Sequence, residues 1–470
     1  MPNKLQRHFN LIGIALYGLA LAIVSICFSH YALRPLWIAW GCGTVLFFFL
    51  CTYFCFQSWQ KKPEKTFLRR VFWVALGLRA IHVTAILYYY YYQTGIGLEY
   101  QAADSLGYHR AAAYFSNLAR EGRISEIFSI LNANTMGFSD QGYVLYLTGI
   151  YTIFGKNILG PRLLKALMSA YMCVAIYKLT SRSIDNKTGR LAAVMAVFLP
   201  QFYHYNGTYL KETELIFVAT LALERFDYLM RTRKHLAWNL ILTLALTALT
   251  FGLRTIVGMI LIGSYLIYVV FAEKELLSKK AKAITLAAVI ATSLFFLATP
   301  IGKEMLIIFK VNFTESNYQV AKYKYLGLKY ADYANYKTMA PGAFVLPLTN
   351  LTEVANENQK MMNGTYFIKN YLAFFAMWCI IVAIRDKKWR RFSLIGSYTL
   401  AYILMIAFSF AFNSERYHLP VMPGFLIMGA FAMTRFRKKD FKWYYAYIGL
   451  LVVAIVTWNY LKLSARGLIF

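Results

Sequence analysis

Four groups of polar residues, far apart in a chain of 470 residues, are of types that could do chemistry together. Asp104 and His109 share one polar stretch. His204, Lys211, Glu212 and Glu214 lie where one apolar run gives way to the next. Arg254 stands between LTALTFGL and TIVGMILIGSYL with no acid near it in sequence. Glu415, Arg416, Tyr417 and His418 come just before Pro420 and Pro423. A carboxylate can take a proton from a hydroxyl. Cations can hold a leaving phosphate as charge develops on it, and arginine does so bidentately. The set therefore suits group transfer off a phosphate. Asp104 would be the base, and Arg254 and Arg416, with Lys211, the phosphate clamp. Glu212 would orient the acceptor or a cation. His109, His204 and His418 could bind phosphate oxygens, or could form a divalent-metal site with Asp104 or Glu212.

Each residue also has a plainer reading. Asp104 precedes a helical pattern and would serve as an N-cap. Lys211 and Glu212 would be an interfacial anchor pair. Arg416, Tyr417 and His418 would belong to a basic and aromatic belt. Arg254 is harder to dismiss, because an ionisable residue at such a depth is costly. Arg79 and His82 lie inside an apolar run, where they would face a lipid headgroup or another helix.

These residues are positioned by an apolar chain. Hydrophobic residues make up 59% of it and charged residues only 15%, against roughly 25% charged in soluble proteins. That excludes a soluble globular enzyme and a disordered chain. Apolar runs at 10–29, 37–57, 71–93, 162–181, 190–206, 213–231, 236–252, 255–272, 282–300, 366–385, 392–412, 417–434 and 443–461 predict an all-α, polytopic membrane protein of about thirteen spans. Lys4 and Arg7 precede the first run, with no evident cleavage site, which predicts an uncleaved first helix.

The net charge of +29 has a topological reading rather than a nucleic-acid one. With the N-terminus in the cytoplasm, 29 of the 50 Lys and Arg residues fall in short inside stretches, such as 61–70, 178–190, 385–391 and 435–442. The short outer turns hold Arg34, Lys211, Arg254 and Arg416 nearly alone. This is the positive-inside pattern. Counting 143–155 as a span would invert it, so that tract is expected to lie at or dip into the outer interface. The candidate residues then share the outer face.

Four regions follow: an N-terminal hairpin at 1–70, a catalytic module at 71–300 with a large outer loop at 94–161, a second outer loop at 301–365, and C-terminal spans at 366–470. The second loop contains KYKYLGLKYADYANYK. Loops of this size tend to be functional. The six cysteines lie in apolar runs and read as core residues.

The order of ADSLGYHRAAAYF, PRLLKALMSAYMCVAIYKLTSR, LAAVMAVFLPQFYHYNGTYLKETELIFVATLAL and SERYHLPVMPGFLIMGAFAM resembles the GT-C superfamily of membrane glycosyltransferases. Within it the chain is similar to the protein-mannosyltransferase and aminoarabinose-transferase branch, over roughly 71–435. The resemblance implies a polyprenyl-phosphate-linked sugar donor and inversion at the sugar. It matches the first-loop acid to Asp104, the second-loop acid to Glu212, and the late Arg-Tyr…Pro segment to Arg416, Tyr417 and Pro420. Two departures stand out. Spans 10–29 and 37–57 are extra, and Ser105 follows Asp104 where an acidic pair would support a metal-dependent diphosphate donor.

The expectation is an integral-membrane glycosyltransferase acting at the outer face of a bacterial-type inner membrane, on a glycan, lipid or protein acceptor. No cofactor is required by this reading, and no metal residues are assigned. The rivals are a lipid-linked oligosaccharide flippase or transporter, and a polymerase or ligase with diphosphate-linked donors. A transporter predicts inverted repeats and charges near mid-membrane, and the sequence shows neither.

Overall fold

The computed structural model describes residues 2–100, 102–133, 138–232, 234–271, 279–299, 340–408 and 414–469, with 302, 303, 306, 307 and 310. The tyrosine-rich tract of the second loop lies outside the described residues. Helix α1 (Pro2–Cys27) and α2 (Pro35–Trp59) form the N-terminal hairpin, followed by α3 (Glu64–Thr94). The stretch expected as the first outer loop folds into α4 (Ala103–Arg120), α5 (Ile124–Ala133) and α6 (Phe138–Phe154). Then come α7 (Leu159–Ser183), α8 (Asn186–Phe198), α9 (Pro200–Gly207) and α10 (Glu212–Thr232). They lead to α11 (Leu236–Leu253), α12 (Thr255–Phe271) and α13 (Lys279–Ala298). The last part holds α14 (Glu357–Met361), α15 (Asn363–Arg385), α16 (Ser393–Phe408), α17 (Glu415–His418), α18 (Met422–Thr434) and α19 (Phe441–Ser464).

Among the described residues, nine helices are long and apolar enough to cross a membrane. The other four expected spans are also helical. The 190–206 run is broken into α8 and α9, α10 carries Glu212, Glu214, Glu224 and Asp227, and α12 has 17 residues. The fourth is α13. Helix α6 covers the 143–155 tract up to Phe154 and packs on α4 and α11. The six cysteines are free.

The centre of the bundle is α7, α8, α15 and α18, packed on one another in the pairs α7–α8, α8–α18 and α15–α18. Small residues allow this. Ala166, Ser169, Ala170 and Cys173 on α7 are fully buried, as are Ala430 and Ala432 on α18. Without water to drive association in lipid, close packing of small side chains holds such helices together.

The bundle has two chemically different ends. At one end the basic loops meet in ion pairs. Arg182 binds Asp227 at 2.6 Å and Glu224 at 3.1 Å, Arg435 binds Asp185 at 2.6 Å, and Arg385 binds Asp440 at 3.0 Å. The opposite ends of α7, α10 and α18 carry the candidate site.

The break between α8 and α9 has a clear cause. Pro200 has no N–H to give to the carbonyl of Ala196. Arg79, fully buried on α3, supplies the donors instead. Its guanidinium donates to Ala196 O at 2.9 Å, Val197 O at 3.3 Å and the Ser169 hydroxyl at 2.8 Å. It also lies 4.9 Å from the centroid of the Tyr203 ring. Of the two readings left open for Arg79, the helix contact is the one observed.

The N-terminal hairpin is bound into the bundle. Tyr17 donates to Asn363 Oδ1 at 2.8 Å, and Asn363 donates to Trp37 O at 3.0 Å. Gly41 and Gly364 let α2 and α15 approach closely: a Cβ on Gly364 would lie 2.7 Å from Gly41 O. Helix α1 packs on α19, and α2 packs on α8.

Candidate active site

The four residues singled out as base, acid and clamp converge. Arg416, on α17, donates through Nη1 to Asp104 Oδ2 at 2.5 Å. Its Nε donates to Glu212 Oε1. Arg254 closes the group, with Nη2 donating to the same Glu212 oxygen at 3.1 Å. The guanidinium of Arg254 rests 5.0 Å from the centroid of the Tyr417 ring. Two acids and two arginines from α4, α10, α17 and the α11–α12 turn thus form one chain of ion pairs.

Exposure separates the roles of the two acids. The Asp104 side chain is 54% exposed, Arg416 21%, and Glu212 0%. Asp104 can therefore meet an acceptor, whereas Glu212 is the buried anchor that fixes both arginines. The second oxygen of Glu212, Oε2, has no hydrogen-bond partner among the described residues. Asp104 is not the N-cap. Ala102 holds that position without a side-chain cap, and Asp104 sits in the first turn of α4, where a carboxylate is favoured by the helix dipole.

The other expected residues fall around this core. Lys211 is buried next to Glu212, and its carbonyl accepts from Leu215 N at 3.0 Å to close the first turn of α10. His418 is fully buried at the end of α17. His109 turns elsewhere: Nδ1 is 2.7 Å from the Tyr151 hydroxyl, which in turn bonds to Tyr209. Burial first, then Lys156 and Arg110, hold His109 below the ordinary histidine range. His204 is buried, and Glu214 pairs with Lys165. Among the described residues no group of three or more His, Cys, Asp or Glu is arranged to hold a metal ion.

Three positioning residues escaped the sequence reading: Glu99, Arg162 and Lys165. Glu99 accepts from Tyr209 N at 3.0 Å and from the Ser105 hydroxyl. It therefore ties the start of α4, next to Asp104, to the turn that leads into Glu212. Arg162 lies 3.7 Å from Glu99. Lys165 donates to Thr208 O at 3.1 Å and to Leu210 O. Both cations are fully buried on one face of α7, three residues apart. Two cations near the start of an apolar helix were the available signal.

Two cavities share His204 in their walls. One, of about 550 Å³, is polar. Its wall includes Glu99, Glu415 and Arg416, and Lys462 and Arg466 from the C-terminal part. The second, of about 640 Å³, is largely apolar and lies between α2, α3 and α9. His204 lines both.

Residues 143–298 match the dolichyl-phosphate-mannose-protein mannosyltransferase family. The match covers about a third of the chain, from α6 to the end of α13, and over that stretch the chain is similar to this family. Among solved structures, the chain is similar to the oligosaccharyltransferase of Archaeoglobus fulgidus, crystallised with Zn and sulfate. That likeness has 14% identity and a TM-score of 0.38, and covers 70% of this chain and 44% of the other. The chain thus spans less than half the length of that protein. No curated protein sequence matches.

Proposed function

We propose that the protein transfers a sugar from a polyprenyl-phosphate carrier to a hydroxyl of a glycan, lipid or protein acceptor. The reaction would occur at the outer face of a bacterial-type inner membrane. The observation that carries this reading is Arg416, which touches the exposed Asp104 and also lines the polar cavity.

In this mechanism the donor phosphate sits in the polar cavity against Arg416, with Arg254 behind it. The acceptor approaches from the exposed side of Asp104. Asp104 takes the hydroxyl proton as the acceptor oxygen bonds to the anomeric carbon. The bond from that carbon to the phosphate oxygen breaks, and the lipid phosphate leaves with the electron pair. The two arginines stabilise the charge it gains. One in-line displacement inverts the anomeric centre.

Donor phosphate must compete with Asp104 for Arg416, so donor binding also frees the base. The buried Glu212 keeps both arginines in place through this exchange. The sidedness has independent support, because the ion-paired basic loops occupy the opposite end of the bundle.

The test is transfer by purified protein from decaprenyl-phosphate sugars to a panel of glycan, lipid and peptide acceptors. Product without anomeric inversion, or product unchanged in Asp104→Asn, would overturn the mechanism. The diphosphate-donor reading has one specific support: Lys462 and Arg466 share the cavity with Arg416. Parallel assays with decaprenyl-diphosphate sugars separate the two.

A further inference from the structure

The N-terminal hairpin has no part in the ion-pair cluster, and it lies outside the matched residues 143–298. Yet α2 forms a whole wall of the apolar cavity. Leu36, Ala39, Trp40, Gly43, Thr44 and Phe47 line it, at the spacing of one helix face. The opposite wall is α3, through Leu78, Ile81, His82 and Ala85. Leu36 and Ile81 are 62% and 69% exposed, so the cavity opens sideways, toward lipid.

Its dimensions fit one leaflet. From Leu36 to Phe47 the wall is about 16 Å long at about 1.5 Å per residue. That is half of a hydrocarbon core about 30 Å thick. The groove starts at the outer end of α2 and runs inward. At its outer end His204 also lines the polar cavity, where the cations Arg416, Lys462 and Arg466 outnumber the acids Glu99 and Glu415. An apolar slot one leaflet deep leads into a polar chamber with an excess of cations. This combination is complementary to a long hydrocarbon chain that carries a phosphate.

We infer that the α2–α3 groove holds the hydrocarbon chain of the lipid-phosphate donor, and that the N-terminal hairpin is therefore part of the donor site. The inference rests on the donor class proposed above and adds where the chain lies. Donor then enters from the membrane through the hairpin side, and acceptor arrives from the aqueous side at Asp104. His82 and His204 mark the passage between hydrocarbon and headgroup.

Gly43 allows a direct test. It lines the groove, is exposed, and has open space where a Cβ would be. Gly43→Phe puts a ring into the slot from a position whose Cβ meets nothing within 4 Å. Gly18→Phe is the control, because Gly18 on α1 also has open space but does not line the cavity. The full-length protein in phosphatidylcholine nanodiscs is irradiated with decaprenyl phosphate carrying a diazirine in its chain, and the adducts are mapped by mass spectrometry.

Adducts are expected on 36–47 and 78–85. Gly43→Phe should weaken decaprenyl phosphate binding by about tenfold or more, and Gly18→Phe should leave it unchanged. Ala39→Trp, at a second groove position, serves if Gly43→Phe does not fold. Unlabelled decaprenyl phosphate should compete, and phosphatidic acid and inorganic phosphate should not. Adducts elsewhere, with sugar transfer intact, would overturn the groove while leaving the donor class standing. Equal competition by phosphatidic acid would make it an ordinary phospholipid site and overturn the inference. Neither binding nor transfer with decaprenyl phosphate would remove this inference and the donor class together.

Discussion

Arg416 Nη1 lies 2.5 Å from Asp104 Oδ2, so the candidate base is held by the same guanidinium that lines the polar cavity. The pair spans 312 positions of sequence. It makes the state of the base depend on what else binds that arginine.

Asp104→Asn keeps the shape of the pair and removes the base. Turnover is expected to fall by about 10² to 10⁴, with donor binding unchanged or tighter, because Arg416 is released from a competitor. Initial rates and decaprenyl phosphate affinity on the same preparation check both parts. Equal losses in rate and affinity would make Asp104 a structural partner only.

Arg416→Lys keeps one positive charge and gives up the fork that reaches Asp104 and Glu212 at once. Its kcat is expected to fall by about tenfold to a hundredfold while the protein stays folded. Glu212→Gln acts differently. It leaves two arginines without their buried counter-charge, and removing one partner of such a group costs about 3–5 kcal/mol. A large fall in melting temperature is the expected signature, read by thermal unfolding in detergent. A folded, fully stable Glu212→Gln protein would remove Glu212 as the anchor.

Glu99→Gln tests positioning rather than chemistry. Glu99 does not touch Arg416 or Asp104, but it joins Ser105 to the Tyr209 backbone. The variant keeps one of the two acceptor oxygens that Glu99 uses and loses the charge facing Arg162. A lower kcat with little change in donor KM is expected, since a small misplacement of the reacting groups is enough to slow turnover. Glu99→Asp should recover part of it. A residue that served stability alone would lower melting temperature without changing the kcat of the folded fraction.

His109 gives a pH signature. Its folded value is held below the ordinary one by burial, Lys156 and Arg110, whereas in the unfolded chain it titrates near about 6.5. As pH falls through that region the unfolded chain takes up a proton that the folded chain resists. Stability is therefore full above about 6.5 and declines as pH falls toward the folded value. Melting temperature measured from about pH 7.5 to 5 should fall less steeply in His109→Gln than in the parent. Parallel slopes would show that His109 does not contribute.

The site was legible where polar residues interrupt apolar text. Asp104, Glu212, Arg254 and Arg416 stand out because such groups are costly near lipid. Their common membrane face followed from counting lysines and arginines. Their pairing could not be read, since nothing local joins Arg416 to Asp104. Arg162 and Lys165 were hidden differently. They open a run otherwise apolar enough to count as a span, and their i, i+3 relation has meaning only once Glu99 and the 208–210 carbonyls are brought to that face. The partner of His109 could not be read either, because its sequence neighbours do not include Tyr151. The 190–206 run was counted as one span because a proline near its middle does not reveal whether another helix will satisfy the freed carbonyl.

That helix is α3, and Arg79 makes the break testable. Its guanidinium reaches the carbonyls of Ala196 and Val197 from a fully buried position. Arg79→Met removes these donors and strands the carbonyl of Ala196, whereas Val197 O keeps the Tyr203 hydroxyl at 2.7 Å. One orphaned buried acceptor costs about 1–3 kcal/mol, so a lower melting temperature is expected. Arg79→Lys can donate to one or two of the same oxygens and should fall between the parent and Arg79→Met. Helix α9 carries His204 and leads to the turn held by Lys165, so loosening the break should also reach the site. Folded Arg79→Lys protein is expected to show a reduced kcat at unchanged inversion of the product. Stability and turnover equal to the parent in Arg79→Met would mean that the broken span stands without its arginine.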